Sequence, residues 1–149
     1  MEAVESHELL CRTAWRAEWP EPELDADRLN ATVRGDEELL CIAFTNLLGN
    51  AMKYAPDGGG ICIGGEVEGG CAEVRVSDSG IGIQAQDLAR VFDRYFRAEG
   101  AKAAGSGLGL YLVRQIVELH GGTIRAESAP GQGTRMIVRL PLSARETSA

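Results

Sequence analysis

A chain of 149 residues, 44% of them hydrophobic and 25% charged, is long enough to bury one core and has the composition of an ordinary folded domain. Its formal net charge of −7 argues against a nucleic-acid partner, because binding a duplex needs a basic surface that releases counterions. The first residues are polar, unlike a signal peptide, and no run of about 18 apolar residues could span a membrane.

The four cysteines, at positions 11, 41, 62 and 71, form no CxxC pair and have no histidine at metal-ligand spacing. A tight hairpin flanked by Val67 and Cys71 would place Cys62 opposite Val76 and away from Cys71. We therefore predict four reduced thiols in a cytoplasmic protein.

The first third of the chain predicts a helix, a weak strand and a turn. Residues 6–18 have apolar side chains at helical spacing, and Pro20 ends that helix. Residues 24–34 have weak strand character. Gly35 and Asp36 follow as a turn and a helix N-cap.

The middle of the chain predicts a long helix and a hairpin. The clearest helix covers residues 37–54. Residues 61–67 and 71–77 alternate like paired strands joined at a glycine turn. The apolar face of the helix carries Leu40, Phe44, Leu47 and Ala51.

The last third predicts two helices and a closing hairpin. A short helix is expected over residues 86–92, and a second clear helix over residues 107–120. Residues 98–106 between them are small and can bury little surface. Residues 123–127 and 134–140 alternate like a second hairpin. The elements together indicate an α+β fold, a two-layer sandwich with helices on one face of a mixed, mostly antiparallel sheet.

One face of the helix over residues 37–54 carries polar side chains in an otherwise apolar run. Asn46, Asn50 and Lys53 lie at i, i+4 and i+7 and therefore share that face. Helical asparagines commonly face solvent, which is the plainer interpretation. The alternative is a pocket in which an amide oxygen suits Mg²⁺ and the lysine offsets phosphate charge.

Residues 78–83 (Asp-Ser-Gly-Ile-Gly-Ile) follow the second hairpin strand. They could simply be a turn that ends the strand. Alternatively, Gly80 and Gly82 let the backbone approach a ligand, and Asp78 accepts a hydrogen bond from an adenine amino group. The glycine spacing differs from the dinucleotide fingerprint and no helix is expected to begin here, which excludes a Rossmann site.

Residues 105–110 (Gly-Ser-Gly-Leu-Gly-Leu) lead into the second clear helix. A glycine-rich helix N-terminus presents free amide donors and the positive end of the helix dipole, which suits an anion. No Gly-Lys-Ser/Thr follows, so the segment is not a Walker loop. The plainer alternative is a flexible loop with Ser106 as the helix cap.

In this order and spacing, the segments resemble the nucleotide-binding boxes of the histidine kinase and gyrase-type ATPase superfamily. Residues 46–54 resemble its N box, residues 78–82 its first glycine box, and residues 105–110 its second glycine box. Residues 92–97 (Phe-Asp-Arg-Tyr-Phe-Arg) resemble its F box. The resemblance covers about residues 35–142 and implies the ATP-binding catalytic domain of a sensor histidine kinase, with the Bergerat-type sandwich of that superfamily.

The resemblance also implies roles for the matched residues. Asn50 is the expected Mg²⁺ ligand, with Asn46 beside it and Lys53 facing the phosphates. Asp78 would bind the adenine amino group and so select ATP over GTP. The adenine pocket would be completed by Tyr54, Gly80, Gly82 and Ile83.

A mobile lid over residues 94–105 is expected to close on ATP. Arg97 is its expected cation for the γ-phosphate, and Lys102 is a weaker candidate. The remaining ATP contacts implied by the resemblance lie in the lid and at the helix start: Tyr95, Gly105, Ser106, Gly107, Leu108, Gly109 and Leu110.

The phosphoryl acceptor is expected on a separate dimerisation helix. Gyrase-like relatives carry a glutamate where this chain has Asn46, and that glutamate activates water, whereas asparagine cannot take a proton at neutral pH. This favours a kinase over an ATPase. His7 lacks room for the required helical hairpin because prolines follow it, and His120 is expected to satisfy carbonyls at a helix end.

Two alternatives stay open: a stand-alone serine kinase of the anti-sigma type, which carries glutamate at the Asn46 position, and a catalytically inactive nucleotide-binding interaction module. We expect a single domain over residues 1–149, with residues 1–34 as its N-terminal helix and strand. Expected partners are the phosphoacceptor helices of the same protein and the receiver domain of a response regulator. The fragment is expected to be a cytoplasmic monomer, and the full-length protein a homodimer that could carry an inner-membrane anchor.

Overall fold

A mixed sheet and two long helices make up most of the structure. The computed structural model describes residues 2–5, 23–28, 32–54, 60–94 and 109–142. The strands in this part of the chain are β1 (Glu2–Glu5), β2 (Glu23–Arg28), β3 (Thr32–Gly35), β4 (Ile61–Glu68), β5 (Cys71–Asp78), β6 (Thr123–Ser128) and β7 (Thr134–Pro141). The helices are α1 (Glu37–Tyr54), α2 (Ala85–Leu88) and α3 (Gly109–Leu119).

The main sheet has five strands in the order β2-β4-β5-β7-β6. Strand β2 is parallel to β4, and the other three pairings are antiparallel. Strands β1 and β3 form a separate antiparallel pair. The predicted fold class, a two-layer sandwich on a mixed and mostly antiparallel sheet, is confirmed.

The core lies between the sheet and the two long helices. Alternation along β5 and β7 turns every second side chain toward the helices, and these side chains join one buried cluster with α1 and α3. Strand β5 contributes Ala72, Val74 and Val76, and β7 contributes Met136, Val138 and Leu140. No helix among the described residues is long and apolar enough to cross a membrane.

The β4–β5 hairpin is tighter than the sequence indicates. Its two turn residues, Gly69 and Gly70, have φ angles of 59° and 76°, a conformation that suits a two-residue hairpin and favours glycine. Because Glu68 belongs to β4, Cys62 pairs with Ser77. The predicted partner, Val76, was therefore wrong by one residue.

Cys62 and Cys71 nevertheless stay apart. Cys71 pairs with Glu68 at the other end of the hairpin. Together with Cys41, both are free thiols, as predicted. Cys11 lies outside the described residues.

Helix α1 has the predicted bounds and the predicted buried face. Its cap is Asp36, whose Oδ1 accepts a hydrogen bond from the Leu39 backbone N–H at 3.0 Å. The four residues predicted to face the core, Leu40, Phe44, Leu47 and Ala51, are all buried.

Several elements differ from the prediction in extent. Where one weak strand was expected over residues 24–34, the structure describes two strands, β2 and β3. Strand β1 was not predicted because four residues carry too little pattern. The helix expected over residues 86–92 is the single turn α2. Two i→i−3 hydrogen bonds follow it, from Arg90 N–H to Asp87 at 2.8 Å and from Asp93 N–H to Arg90 at 2.9 Å. The helix predicted over residues 6–18 lies outside the described residues.

His120 links the end of α3 to the start of α1. Its Nε2 accepts a hydrogen bond from the Asp36 backbone N–H at 2.9 Å, which requires the ring proton to lie on Nδ1. Nδ1 then donates to the Ile116 carbonyl oxygen at 2.7 Å. The predicted role of His120 at the helix end is confirmed, and its bond to Asp36 is an addition.

Gly35 is required at this junction because the backbone and the imidazole ring are so close. A Cβ at Gly35 would overlap the ring of His120, which is only 7% exposed. At the other end of α3, a Cβ on Gly109 would lie 3.4 Å from Oδ1 of Asn46, which is in the middle of α1. Helices α1 and α3 therefore run antiparallel, with close contacts at both ends of α3.

The two hydrogen bonds of His120 can be tested separately. In His120→Asn the side-chain amide can still donate to Ile116, but the Asp36 N–H loses its acceptor. In His120→Gln the longer amide can still accept from Asp36. We expect His120→Asn to lower the free energy of unfolding by about 1–2 kcal/mol more than His120→Gln, measured by urea denaturation. Equal losses in the two variants would contradict the role given to the Asp36 bond.

Candidate functional site

Two asparagines of α1, Asn46 and Asn50, lie one turn apart on the same side of the helix. The Asn46 Nδ2 donates to the Ile42 carbonyl oxygen at 2.8 Å, which leaves Oδ1 free to accept. Asn50 is 9% exposed, and no hydrogen bond to its side chain occurs within the described residues. A buried amide oxygen that accepts no hydrogen bond from the described residues has the chemistry of a ligand for a hard cation such as Mg²⁺.

The start of α3 lies against Asn46. Gly109, the first residue of α3, is in contact range of Asn46 Oδ1, whereas the side chain of Leu110 is buried in the core. The first amide N–H groups of a helix have no partners within the helix and carry its positive dipole end. The fold thus brings an amide side chain and the start of a helix to one place.

Asp78, at the end of β5, is a buried carboxylate. Among the described residues, no cationic side chain forms a salt bridge with it. Its Oδ1 accepts a hydrogen bond from the Gly80 backbone N–H at 2.9 Å. Burial raises the pKa of the Asp78 carboxyl, although hydrogen bonds from the backbone of Gly80 and Thr134 act in the opposite direction. An ionised carboxylate can accept about four hydrogen bonds, and the donors among the described residues are the backbone amides of Gly80 and Thr134.

The raised pKa of Asp78 determines how this residue makes the stability of the fold depend on pH. The folded state holds the Asp78 proton more tightly than the unfolded chain does. The free energy of unfolding therefore falls as pH rises through this pKa. A group whose charged form opposes folding is a candidate for a functional role.

The loop after Asp78 is supported by the loop between β6 and β7. Gly82 has a φ of 76°, and a Cβ there would overlap the Ala129 carbonyl oxygen. The Gly131 N–H donates to the Ile81 carbonyl oxygen at 2.7 Å, which holds the two loops together. Gly82 is therefore required by backbone packing, a reason that the sequence did not indicate. Ile83, the last residue of the loop, is fully buried.

Two hydroxyl residues beside Asp78 were missed in the sequence. Thr134 is the direct partner of Asp78 in the β5–β7 register and is 3% exposed. Its Oγ1 lies 2.9 Å from the Oγ of Ser128. A signal for Thr134 exists, because it precedes Met136 and Val138 with a period of two and so belongs to the inward face.

The beginning of the predicted lid contacts α3. Phe92 packs against the core, and the Arg94 guanidinium carbon lies 5.9 Å from the centre of the Tyr111 ring, within cation–π range. Lys53 and Tyr54 lie on the last turn of α1, but their side chains are outside the described part. The other predicted contacts outside it are Tyr95, Arg97, Lys102, Gly105, Ser106, Gly107 and Leu108.

Comparison with known proteins identifies the family. Residues 35–144 match the family model described as "Histidine kinase-, DNA gyrase B-, and HSP90-like ATPase". The sensor-like histidine kinase SenX3 of Mycobacterium tuberculosis is 43% identical over 115 residues. That match covers 75% of this chain and 28% of the relative, so the chain spans little more than a quarter of the relative's length.

Solved structures agree with the sequence comparison. The mycobacterial sensor histidine kinase MprB superposes with a TM-score of 0.83 and 35% identity, covering 95% of this chain and 98% of that one. The crystal structure of full-length ShkA in complex with AMPPNP gives a TM-score of 0.72 and 27% identity over 83% of this chain and 26% of that one. The chain therefore belongs to the family of histidine kinase-, DNA gyrase B- and HSP90-like ATPases, and within it to the sensor histidine kinases.

Proposed function

We propose that this chain is the ATP- and Mg²⁺-binding catalytic domain of a two-component sensor histidine kinase. The observation that carries the proposal is the contact between Asn46 and the first turn of α3. A metal-binding amide beside a helix N-terminus can hold the triphosphate of a nucleotide together with its cation. We propose one domain over residues 1–149, with its core over residues 35–142.

In this proposal Asn50 provides the amide oxygen for Mg²⁺, and Asn46 supports the ion or its waters. The bound ion would neutralise charge on the phosphates, which is the chemistry that phosphoryl transfer needs. Lys53 on the same helix face adds a cation for the phosphates. The fit is supported by the unshared oxygen of Asn50 and by the orientation of Asn46, whose Nδ2 is already bonded to the helix backbone.

The adenine is proposed to lie against Asp78, which would accept a hydrogen bond from the amino group at C6. Thr134, which pairs with Asp78 in the β5–β7 register, is proposed as a second polar contact for the adenine. Gly80 would hold the Asp78 carboxylate through its amide, as the 2.9 Å bond supports. The walls of the pocket are proposed to be Tyr54, Gly82 and Ile83.

The phosphate chain is proposed to be capped by amides at the start of α3 and by a lid over residues 94–105. Arg97 would be the lid's cation for the γ-phosphate, with Tyr95 beside it. The capping segment would comprise Gly105, Ser106, Gly107, Leu108, Gly109 and Leu110. The contact between Arg94 and Tyr111 supports this arrangement, because it links the start of the lid to α3.

The γ-phosphoryl group is proposed to pass to a histidine on a separate dimerisation domain and then to an aspartate of a response regulator. Positioning and charge neutralisation dominate such transfers, so the domain needs no base of its own. Asn46 cannot activate water, which preserves ATP for the histidine. Proposed partners are the phosphoacceptor helices of the same protein, which would make the full-length kinase a homodimer.

The proposed reaction is tested by the chemical nature of its product. The domain is mixed with γ-labelled ATP, Mg²⁺ and a purified dimerisation helix pair from a sensor histidine kinase. We expect acid-labile, base-stable label on the histidine of the helix pair. Acid-stable label on a serine of a partner protein would contradict the proposal and favour an anti-sigma-type serine kinase.

Replacing Asn50 tests the metal ligand. Asn50→Ala should lower ATP affinity in the presence of Mg²⁺ by about tenfold or more, a loss of ~1.4 kcal/mol, measured by calorimetry. Affinity measured in EDTA should change little. Gln115→Ala removes an exposed amide from α3 and serves as the matched control. An unchanged Mg²⁺-dependent affinity in Asn50→Ala would rule out the assignment.

Replacing Asp78 tests the adenine contact against the stability of the fold. Asp78→Asn should weaken ATP binding by about tenfold to 100-fold, because a charged acceptor is lost, and should reduce selectivity over GTP. The thermal midpoint should stay level or rise at neutral pH, since burial opposes the charged carboxylate. Asp87→Asn, on α2, is the matched control. Normal discrimination between ATP and GTP in Asp78→Asn would remove this role.

A further inference from the structure

Three contacts converge on the hydroxyl of Ser128, at the end of β6. The Ile83 backbone N–H donates to Ser128 Oγ at 2.7 Å. The Gly133 carbonyl oxygen lies 2.7 Å from the same Oγ, and Thr134 Oγ1 lies 2.9 Å from it. Ser128 therefore connects the loop after Asp78 with the turn that precedes β7.

The single proton of Ser128 can serve only one of these contacts. Because a carbonyl oxygen can only accept, the Ser128 proton must point to Gly133. The 2.9 Å contact is then a hydrogen bond only if Thr134 donates. The proton of Thr134 is thus donated to Ser128, and the lone pairs of Thr134 Oγ1 remain available to accept hydrogen bonds.

Thr134 and Asp78 face the same space. They are direct partners in an antiparallel pair, so their side chains leave the sheet on the same face. Both residues and Ser128 also line an open cavity of about 320 Å³ at this end of the sheet, which Ser77, Glu127 and Arg135 border as well. A base bound against Asp78 would meet Thr134 next, either directly or through a water held in this polar space.

We propose that Ser128 is a positioning residue, which fixes the Thr134 hydroxyl as an acceptor and so makes the base site select a 6-amino purine over a 6-oxo purine. This rests on the proposed function, in which Asp78 faces the adenine. Ser128 does not touch the base and acts through Thr134.

The selectivity follows from the hydrogen-bonding pattern at C6 of the purine. Adenine carries an amino group with two N–H donors, which match the two acceptors offered by Asp78 and Thr134. A 6-oxo purine carries a carbonyl there, and neither acceptor can donate to it. Without the Ser128 hydroxyl, Thr134 is free to turn its proton toward the 6-oxo group, and the mismatch is relieved.

The test compares the affinities of ATP and inosine triphosphate, which differ at the C6 substituent and its neighbouring ring proton. Calorimetry with excess Mg²⁺ gives both affinities for each variant. Ser128→Ala should lower the ratio of ATP to inosine triphosphate affinity by roughly tenfold. Thr123→Ala should leave the ratio unchanged, because Thr123 is an exposed hydroxyl residue at the other end of β6, where it pairs with Arg139.

Thr134→Val provides an independent variant in case Ser128→Ala does not fold. It removes the acceptor but leaves the Ser128 contacts with Ile83 and Gly133 in place, and it should lower the same ratio. Adding Ser128→Ala to Thr134→Val should not change the ratio further, because Ser128 acts only through the Thr134 hydroxyl.

The outcomes separate this proposal from the proposed function. If Ser128→Ala weakens both nucleotides by the same factor, Ser128 only supports Ile83, and the proposal is overturned. An unchanged ratio in Thr134→Val, or a further fall in the double variant, would overturn it as well. A wild-type protein that binds neither nucleotide would instead overturn the proposed function.

Discussion

The hydrogen bond between the Asp36 backbone N–H and His120 Nε2 fixes the position of α1 relative to α3. It joins the start of one helix to the end of the other, with Gly35 leaving room for the ring. Because both helices are rigid and antiparallel, this contact also sets what meets further along them, where Gly109 at the start of α3 lies against Asn46 in the middle of α1. The proposed metal and phosphate site therefore depends on a contact about ten residues away along each helix.

The site itself combines elements that oppose folding with elements that support it. Asp78 is buried with its pKa raised, so its charged form reduces stability at neutral pH. The surrounding backbone offsets this through the Gly80 amide and through the packing of two loops at Gly82 and Ala129. Such a balance is expected where a charged group is kept available for a ligand.

Much of the fold could be predicted from the sequence because the signals were local. The 3.6-residue period of α1 and the alternation of β5 and β7 set these elements directly, and the predicted buried face of α1 was right. The order of the strands, the parallel pairing of β2 and the one-residue shift at Cys62 depend on contacts between distant segments. A pattern read along one chain does not contain that information.

The candidate site was predicted from its nucleotide-binding sequence motifs and not from its geometry. Asn46, Asn50 and Asp78 carry recognisable spacing, whereas Ser128 and Thr134 act only because β6, β7 and the loop after β5 meet in space. The packing role of Gly82 was also hidden, since its partner Ala129 is 47 residues further along the chain.

A crystal structure of the domain with AMPPNP and Mg²⁺ would test the central claim most directly. The account predicts Mg²⁺ at about 2.1 Å from Asn50 Oδ1. It also predicts the adenine amino group within hydrogen-bond distance of the Asp78 carboxylate and the triphosphate along the first turn of α3. A nucleotide bound elsewhere, or a metal ion without Asn50 as a ligand, would contradict the account.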